Sequence, residues 1–156
     1  GKSAPDGFSD MLQNTINHAV FKTKPEPTCD LKALFSALHE KGLKIGLATS
    51  DTKKSAEYCA KQLGIFDELD FFGSDDGKTK PKPAPDMIFA FCSAFGFTPD
   101  EVIMAGDTVS DMRFAKNAGA HAVGVTCGVS GKEALSPYAE AIIDTPYDLL
   151  ALSLLK

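Results

Sequence analysis

The chain has 156 residues, of which 44% are hydrophobic and 24% charged, a composition typical of one globular domain and unlike that of a disordered or low-complexity protein. Its net charge of −5 at pH 7 argues against non-specific binding to nucleic acid, which needs a basic surface. The longest apolar runs are only a few residues, too short to cross a bilayer. We therefore expect neither a nucleic-acid partner nor a membrane partner.

Residues 1–28 hold a short amphipathic stretch, from Phe8 to Val20, followed by a Pro/Lys-rich run. Apolar residues then recur at helical spacing after Asp30, a good N-cap, and predict a helix that ends at Gly42. The next predicted elements, in chain order, are a strand over 44–48, a helix capped by Ser50 or Asp51, a strand over 69–72, a helix over 86–95, a strand over 102–105, a helix over 109–117, strands over 121–125 and 141–144, and a helix over 147–155.

This alternation of strands and helices predicts an α/β fold, a doubly wound parallel sheet in three layers with helices on both faces. The strands are nearly continuous apolar runs, as expected for strands that are buried on both sides. In such sheets, ligands bind beyond the carboxyl ends of the strands. The polar residues that directly follow each strand are therefore the candidates for a functional site.

The sequence GDTVSD at 106–111 places Asp107 at a predicted strand end and Asp111 in the first turn of the next helix. Two close carboxylates repel each other unless a positive group lies between them. Oxygen ligands suit Mg²⁺, which usually keeps several waters and a substrate phosphate. The alternative is that both acids only cap the helix and stabilise its dipole.

Two further strand ends carry polar residues. Thr49 and Ser50 follow the strand over 44–48, where a hydroxyl beside the free amides of a helix start can hold a phosphate oxygen; helix capping is the alternative. Lys82 lies between prolines in KPKPAPD, on a stiff, extended segment that fixes where its charge is presented. The alternative for Lys82 is a solvated loop residue. Four widely spaced cysteines without a CxxC pair, and no visible signal-peptide pattern, predict reduced thiols and a cytoplasmic location.

Taken together, ATS at 48–50, KPAPD at 82–86 and GDTVSD at 106–111 resemble the haloacid dehalogenase-like (HAD) hydrolase superfamily, in its phosphoglycolate phosphatase-like branch. The three segments occur in the order of the family, and the resemblance runs from about residue 26 to residue 156. It implies a Rossmann-like core and a phosphatase that hydrolyses a small phosphate monoester, a phosphorylated metabolite, through an aspartyl-phosphate. It also implies Mg²⁺ as the cofactor.

The resemblance assigns a role to each matching residue. Thr49, with Ser50 beside it, corresponds to the phosphate-binding position. Lys82 corresponds to the lysine that neutralises the nucleophile and the transferring phosphoryl group. Asp107 corresponds to the Mg²⁺ ligand, and Asp111 to the second acid of the metal site. Charge neutralisation of this kind is what attack by a carboxylate on an anionic phosphoryl group requires.

One family motif has no counterpart. The nucleophile and the acid/base aspartate of the family lie in DxDG[TS], at the end of its first strand. The nearest matches here are Asp6-Gly7, which follows no apolar strand, and Asp75-Asp76-Gly77, which lacks the one-residue gap. We therefore expect the 156 residues alone to be inactive.

The missing motif predicts the domain organisation. Residues 1–25 would be the C-terminal remnant of a helical cap, and residues 26–156 the HAD-like core without its first strand. In the family that strand lies between the strands that end at Thr49 and Asp107, so these two should lack a partner unless another segment, such as 16–21, fills the gap. The natural partner to expect is the chain's own missing N-terminal segment. The alternatives are a non-catalytic protein that binds metal and phosphate, and a phosphomutase of the same branch.

Overall fold

The computed structural model describes residues 25–155. The predicted α/β class is confirmed: helices alternate with strands, and every strand pairing is parallel. The elements are α1 (Leu31–Glu40), β1 (Gly46–Thr52), α2 (Lys53–Gln62), β2 (Phe71–Asp75), α3 (Asp86–Phe95), β3 (Ile103–Gly106), α4 (Val109–Ala118), β4 (His121–Val125), α5 (Lys132–Leu135) and β5 (Ala141–Ile143), with 3₁₀ turns at Phe66–Glu68, Pro99–Glu101, Pro146–Ala151 and Ser153–Leu155. No helix in this range has the length and hydropathy of a membrane span.

The parallel strands form two sheets, a two-stranded sheet of order β1-β2 and a three-stranded sheet of order β3-β4-β5. Among the residues described, β1 and β3 each have one hydrogen-bonded neighbour and do not pair with each other. The burial of these strands agrees with the number of neighbours that each one pairs with. The central strand β4 is almost fully buried, whereas β1 and β3 are half-buried or exposed along their length.

The predicted cap remnant over 1–25 lies outside the described residues except for its last position. The segment 16–21 and Asp6 lie wholly outside the described residues. The structure therefore describes the core, and the division of the chain at residue 25 stays a prediction.

One apolar cluster holds the two sheets together. Met112, Phe114 and Ala115 of α4 are fully buried in it. Ala48 of β1 and Met104 of β3 pack against the same cluster. Burying one large apolar side chain contributes about 1.5–3 kcal/mol, so α4 is well anchored beneath the two sheets.

Several helix ends follow the predicted signals. Asp30 caps α1 by accepting a hydrogen bond from the Ala33 amide at 3.0 Å. Gly96 and Gly119 end α3 and α4 with φ of 74° and 83°, in the left-handed region that glycine adopts without strain. Caps of this kind set the helix bounds from local sequence alone.

The end of the chain differs from its prediction. In place of one helix over 147–155, two 3₁₀ turns are separated by Leu152, which is extended with ψ of 139°. Leu149 and Leu152 pack beside β5, while Leu150 and Leu155 pack beside α1. A continuous α-helix with one apolar stripe cannot serve two surfaces in this way, and the chain breaks its helix between them.

Candidate active site

Lys82 links the end of β1 to the start of α4. Its Nζ donates a hydrogen bond to Oδ1 of Asp111 at 2.5 Å and another to the carbonyl oxygen of Ala48 at 3.1 Å. The side chains of Lys82 and Asp111 are only 11% and 7% exposed. A buried ammonium is stable only when it is paired and hydrogen-bonded, and these two contacts provide the pairing. Lys82 is therefore not a solvated loop residue.

Asp111 is held from two sides. Its Oδ2 accepts hydrogen bonds from the amide and the hydroxyl of Thr108, at 3.1 and 2.7 Å. The Thr108 hydroxyl accepts in return from the Asp111 amide at 3.1 Å, which completes a capping box at the start of α4. A Cβ added at Gly106 would lie 2.6 Å from Cγ of Asp111, so the last residue of β3 has to be glycine for the carboxylate to pack there.

Asp107 directly follows β3 and is half-buried. Its Oδ2 accepts a hydrogen bond from the Val129 amide at 2.7 Å, and its carbonyl oxygen accepts one from the Ser130 amide at 3.0 Å. A Cβ added at Gly128 would lie 2.5 Å from Cγ of Asp107. The loop 127–131 after β4 thus lies directly against this carboxylate. Within residues 25–155, Oδ1 of Asp107 has no hydrogen-bond partner.

The loop 127–131 was missed by the sequence interpretation. Its contacts to Asp107 come from backbone N–H groups, which no side-chain pattern reveals. Closely spaced glycines at 124, 128 and 131 were the one available signal, since glycine marks places where another group approaches the backbone closely. Cys127 in this loop is exposed, and all four cysteines are free thiols, as the sequence predicts.

Thr49 lies within β1, which extends to Thr52. The predicted N-cap at Ser50 or Asp51 is wrong: α2 begins after Thr52, whose hydroxyl accepts from the Ser55 amide at 3.4 Å. The chain stays extended because Thr52 still pairs with Asp75 of β2 after an irregularity in the register.

The hydroxyls at residues 49 and 50 therefore precede the helix start by several residues. Thr49 is half-buried, and its hydroxyl accepts a hydrogen bond from the Asp51 amide at 3.1 Å. Ser50 is exposed.

Three of the predicted segments meet at one place. The Lys82 contacts join the residue before Thr49 to Asp111, and Asp111 lies one turn after Asp107 in the same capped helix start. This is the carboxyl-end position expected for a ligand site in a parallel α/β sheet.

The part of the chain that the structure describes contains no group of three His, Cys, Asp or Glu side chains that could hold a metal ion. A metal at this site would therefore depend on Asp107 and Asp111. Oxygen-only donors in this small number fit Mg²⁺, which is commonly bound by one or two carboxylates together with waters and a phosphate. Zn²⁺ sites in proteins usually have three or four protein ligands that include histidine or cysteine, and the two aspartates at this site do not supply such a set.

Comparisons with known proteins show which family the chain resembles in sequence. The family model for haloacid dehalogenase-like hydrolases matches residues 4–119. The phosphoglycolate phosphatase of Salmonella paratyphi A is 35% identical over 119 residues, which are 73% of this chain and 46% of that protein. The phosphonoacetaldehyde hydrolase of Bacillus cereus is 33% identical over 117 residues, 74% of this chain and 44% of that protein. The chain thus spans about half the length of the curated relatives it matches.

The fold also matches solved structures. A hydrolase from Pseudomonas syringae superposes with a TM-score of 0.81 at 25% sequence identity, over 97% of this chain and 73% of that one. Similarity to a solved hydrolase thus agrees with the α/β class described above.

Proposed function

Because the chain belongs to the haloacid dehalogenase-like hydrolases, we propose that the site at the carboxyl ends of β1 and β3 binds the phosphoryl group in a Mg²⁺-dependent phosphatase acting on a small phosphate monoester. The observation that carries the proposal is the pair of Lys82 contacts, to the Ala48 carbonyl and to Asp111. They bring three distant segments to one point with a cation at its centre. Anionic phosphoryl groups need such a preorganised positive charge.

Lys82 is the residue that would neutralise the phosphoryl oxygens. Its charge lies in a nearly water-excluded position, where electrostatic interactions are stronger than in bulk water. Asp111 compensates this charge before substrate arrives and fixes the direction of Nζ. A rigid cation aimed at the reacting group stabilises the transition state without reorganising during the reaction.

Thr49 and Ser50 would bind the phosphate through their hydroxyls. The Thr49 oxygen already accepts the Asp51 N–H. A hydroxyl has one proton to donate and two acceptor positions, so the O–H of Thr49 stays available for a phosphate oxygen. Ser50 is exposed at the same strand end and adds a second donor.

Asp107 is the side chain that would hold Mg²⁺. The Val129 amide fixes its Oδ2, while Oδ1 has no partner within residues 25–155. When bound, Mg²⁺ supplies charge neutralisation and alignment of the phosphoryl oxygens. Asp111, the second predicted ligand, would have to share Oδ1 with Lys82. We propose that its main task is to orient that lysine.

The nucleophile belongs to a strand that would complete the sheet between β1 and β3. Two observations support this part of the proposal. Among the described residues β1 and β3 are unpaired along their second edges, and residues 1–156 contain no DxDG[TS] motif. We propose that an N-terminal segment of the same polypeptide supplies the strand. Its carboxylate would attack phosphorus and its second aspartate would protonate the departing alkoxide and then activate water.

The second candidate is a non-catalytic protein that binds metal and phosphate. This candidate needs no nucleophile, because the residues proposed above to bind metal and phosphate would serve it unchanged. A cytoplasmic location is proposed for either function, because free thiols persist in a reducing compartment.

The two candidates are separated by a hydrolysis assay with p-nitrophenyl phosphate and Mg²⁺. We expect no turnover by the 156-residue chain. We expect Mg²⁺-dependent turnover by a chimera in which the N-terminal part of the Salmonella paratyphi A phosphoglycolate phosphatase precedes residue 1. Lys82→Ala should abolish the activity of the chimera, and Lys80→Ala, at an exposed position in the same loop, should not.

Two results would go against the proposal. Robust turnover by the 156 residues alone that is lost in Asp107→Asn would mean that the nucleophile lies within them. A folded but inactive chimera would favour the binding protein.

A further inference from the structure

We propose that Asn117, which belongs to none of the family segments, is a positioning residue that holds Lys82 in the site through the backbone of Pro83. The inference rests on the proposed role of Lys82 in neutralising a phosphoryl group. It adds a second attachment point for the segment that carries this lysine.

The hydrogen bonds show the two attachments. Nδ2 of Asn117 donates to the carbonyl oxygen of Pro83 at 2.9 Å, one residue after Lys82. Oδ1 of Asp111 accepts from Lys82 Nζ at 2.5 Å. Both partners belong to α4, so one helix holds the tip of the lysine side chain and the backbone next to its base.

A third residue of α4 lies between these attachments. Asp111, Phe114 and Asn117 are spaced by three residues, and side chains at this spacing are neighbours on a helix surface. The Phe114 ring is fully buried, with its centroid 5.8 Å from Lys82 Nζ. The Lys82 ammonium group therefore lies near a buried ring as well as its two hydrogen-bond partners.

The segment around Lys82 has few other means of being held. Pro81 and Pro83 have no N–H to donate, and the Ala84 amide bonds within the segment, to Pro81. In the part of the chain that the structure describes, the Asn117 contact is the one hydrogen bond that ties the backbone of residues 81–84 to a distant element. Without it, the lysine would depend on its side-chain contacts alone.

The amide donor, rather than the bulk of Asn117, is what the inference requires. Asn117→Ala removes both the donor and the bulk. Asn117→Asp keeps the size but replaces the donor by a carboxylate oxygen that faces the Pro83 carbonyl. If only packing mattered, aspartate would be tolerated. If the N–H matters, both variants release the segment.

The test is the acetylation rate of individual lysines by trace acetic anhydride at pH 8, measured by peptide mass spectrometry on the full 156-residue chain without phosphate. We expect Asn117→Ala and Asn117→Asp to raise the rate at Lys82 about three- to tenfold, the factor that loss of one ordinary hydrogen bond produces in an opening equilibrium. Rates at Lys78 and Lys80, both exposed, should not change. Lys116→Gln, at an exposed position of α4, is the matched control and should leave Lys82 at the wild-type rate.

An unchanged Lys82 rate in folded Asn117→Ala, or in folded Asn117→Asp, would overturn the inference. If the acetylation rates of all lysines rise together in Asn117→Ala, that variant has lost its fold. The Lys82 rate in folded Asn117→Asp then decides. A separate arm adds Mg²⁺ and inorganic phosphate to the wild-type chain. Failure of phosphate to protect Lys82 counts against the proposed function alone, since the Asn117 effect is measured without phosphate.

Discussion

The Lys82–Asp111 pair gives the sharpest prediction for stability. Lys82→Met keeps the aliphatic chain and removes the charge. Asp111→Asn removes the opposite charge but keeps an oxygen that can accept from Thr108. Both side chains are nearly buried, at 11% and 7% exposed, and removing one partner of a buried ion pair costs about 3–5 kcal/mol. Each single variant should therefore lower the free energy of unfolding by about 3 kcal/mol or more.

The double variant contains no unpaired buried charge, so its cost should fall short of the sum of the two single costs by about 2–3 kcal/mol. Urea unfolding followed by far-ultraviolet circular dichroism measures all four proteins. The pair Lys53–Glu57 is the control, because it is 3.9 Å apart with Lys53 67% exposed, and its coupling should stay below about 0.5 kcal/mol. If the cost of the double variant equals the sum of the two single costs within that same margin, the pair is not the buried contact on which the site depends.

Two further predictions concern the site loop and pH. Gly128→Ala places a methyl group 2.5 Å from Cγ of Asp107 and should lower the free energy of unfolding by about 1–3 kcal/mol through overpacking. Gly131→Ala is the control and should be close to neutral, because nothing lies within 4 Å of the added Cβ. Equal unfolding midpoints for the two variants would contradict the contact between Gly128 and Asp107. The hydrogen bond that the His121 ring donates to the Glu140 carboxylate raises the pKa of His121 above 6.5. The pair therefore stabilises the chain fully below about pH 6.5 and loses its effect as the pH rises through the raised pKa. Glu140→Gln should therefore be destabilising by less than about 1 kcal/mol at low pH and neutral at high pH, and a pH-independent difference in unfolding free energy would refute this.

Much of the helical framework could be predicted from the sequence. The bounds of α3 agree with the prediction, and α1 and α4 agree within about two residues, because caps and helix-ending glycines are local signals. Strand bounds agree less well. The apolar run over 44–48 indicates where β1 begins, but the strand continues to Thr52 through backbone pairing with β2, which requires no apolar side chain.

In the candidate site, the sequence predicted some side chains but not the backbone contacts. Lys82 and Asp111 were predicted through the family resemblance, since the local sequence alone also allowed a solvated lysine and a helix-capping acid. The contact of Val129 with Asp107 is made by a backbone amide, and the Asn117 contact is accepted by a backbone carbonyl. Such contacts depend on where two distant segments meet, which the sequence alone does not state.

Residues far apart in the chain are proposed to form one site for a Mg²⁺-bound phosphoryl group. Nuclear magnetic resonance titration of the labelled chain with inorganic phosphate, in the presence of Mg²⁺, tests it most directly. We predict saturable shifts of the backbone amides of Thr49, Lys82 and Thr108, all lost in Lys82→Met. Shifts confined to other parts of the chain, or shifts that persist in that variant, would contradict the claim.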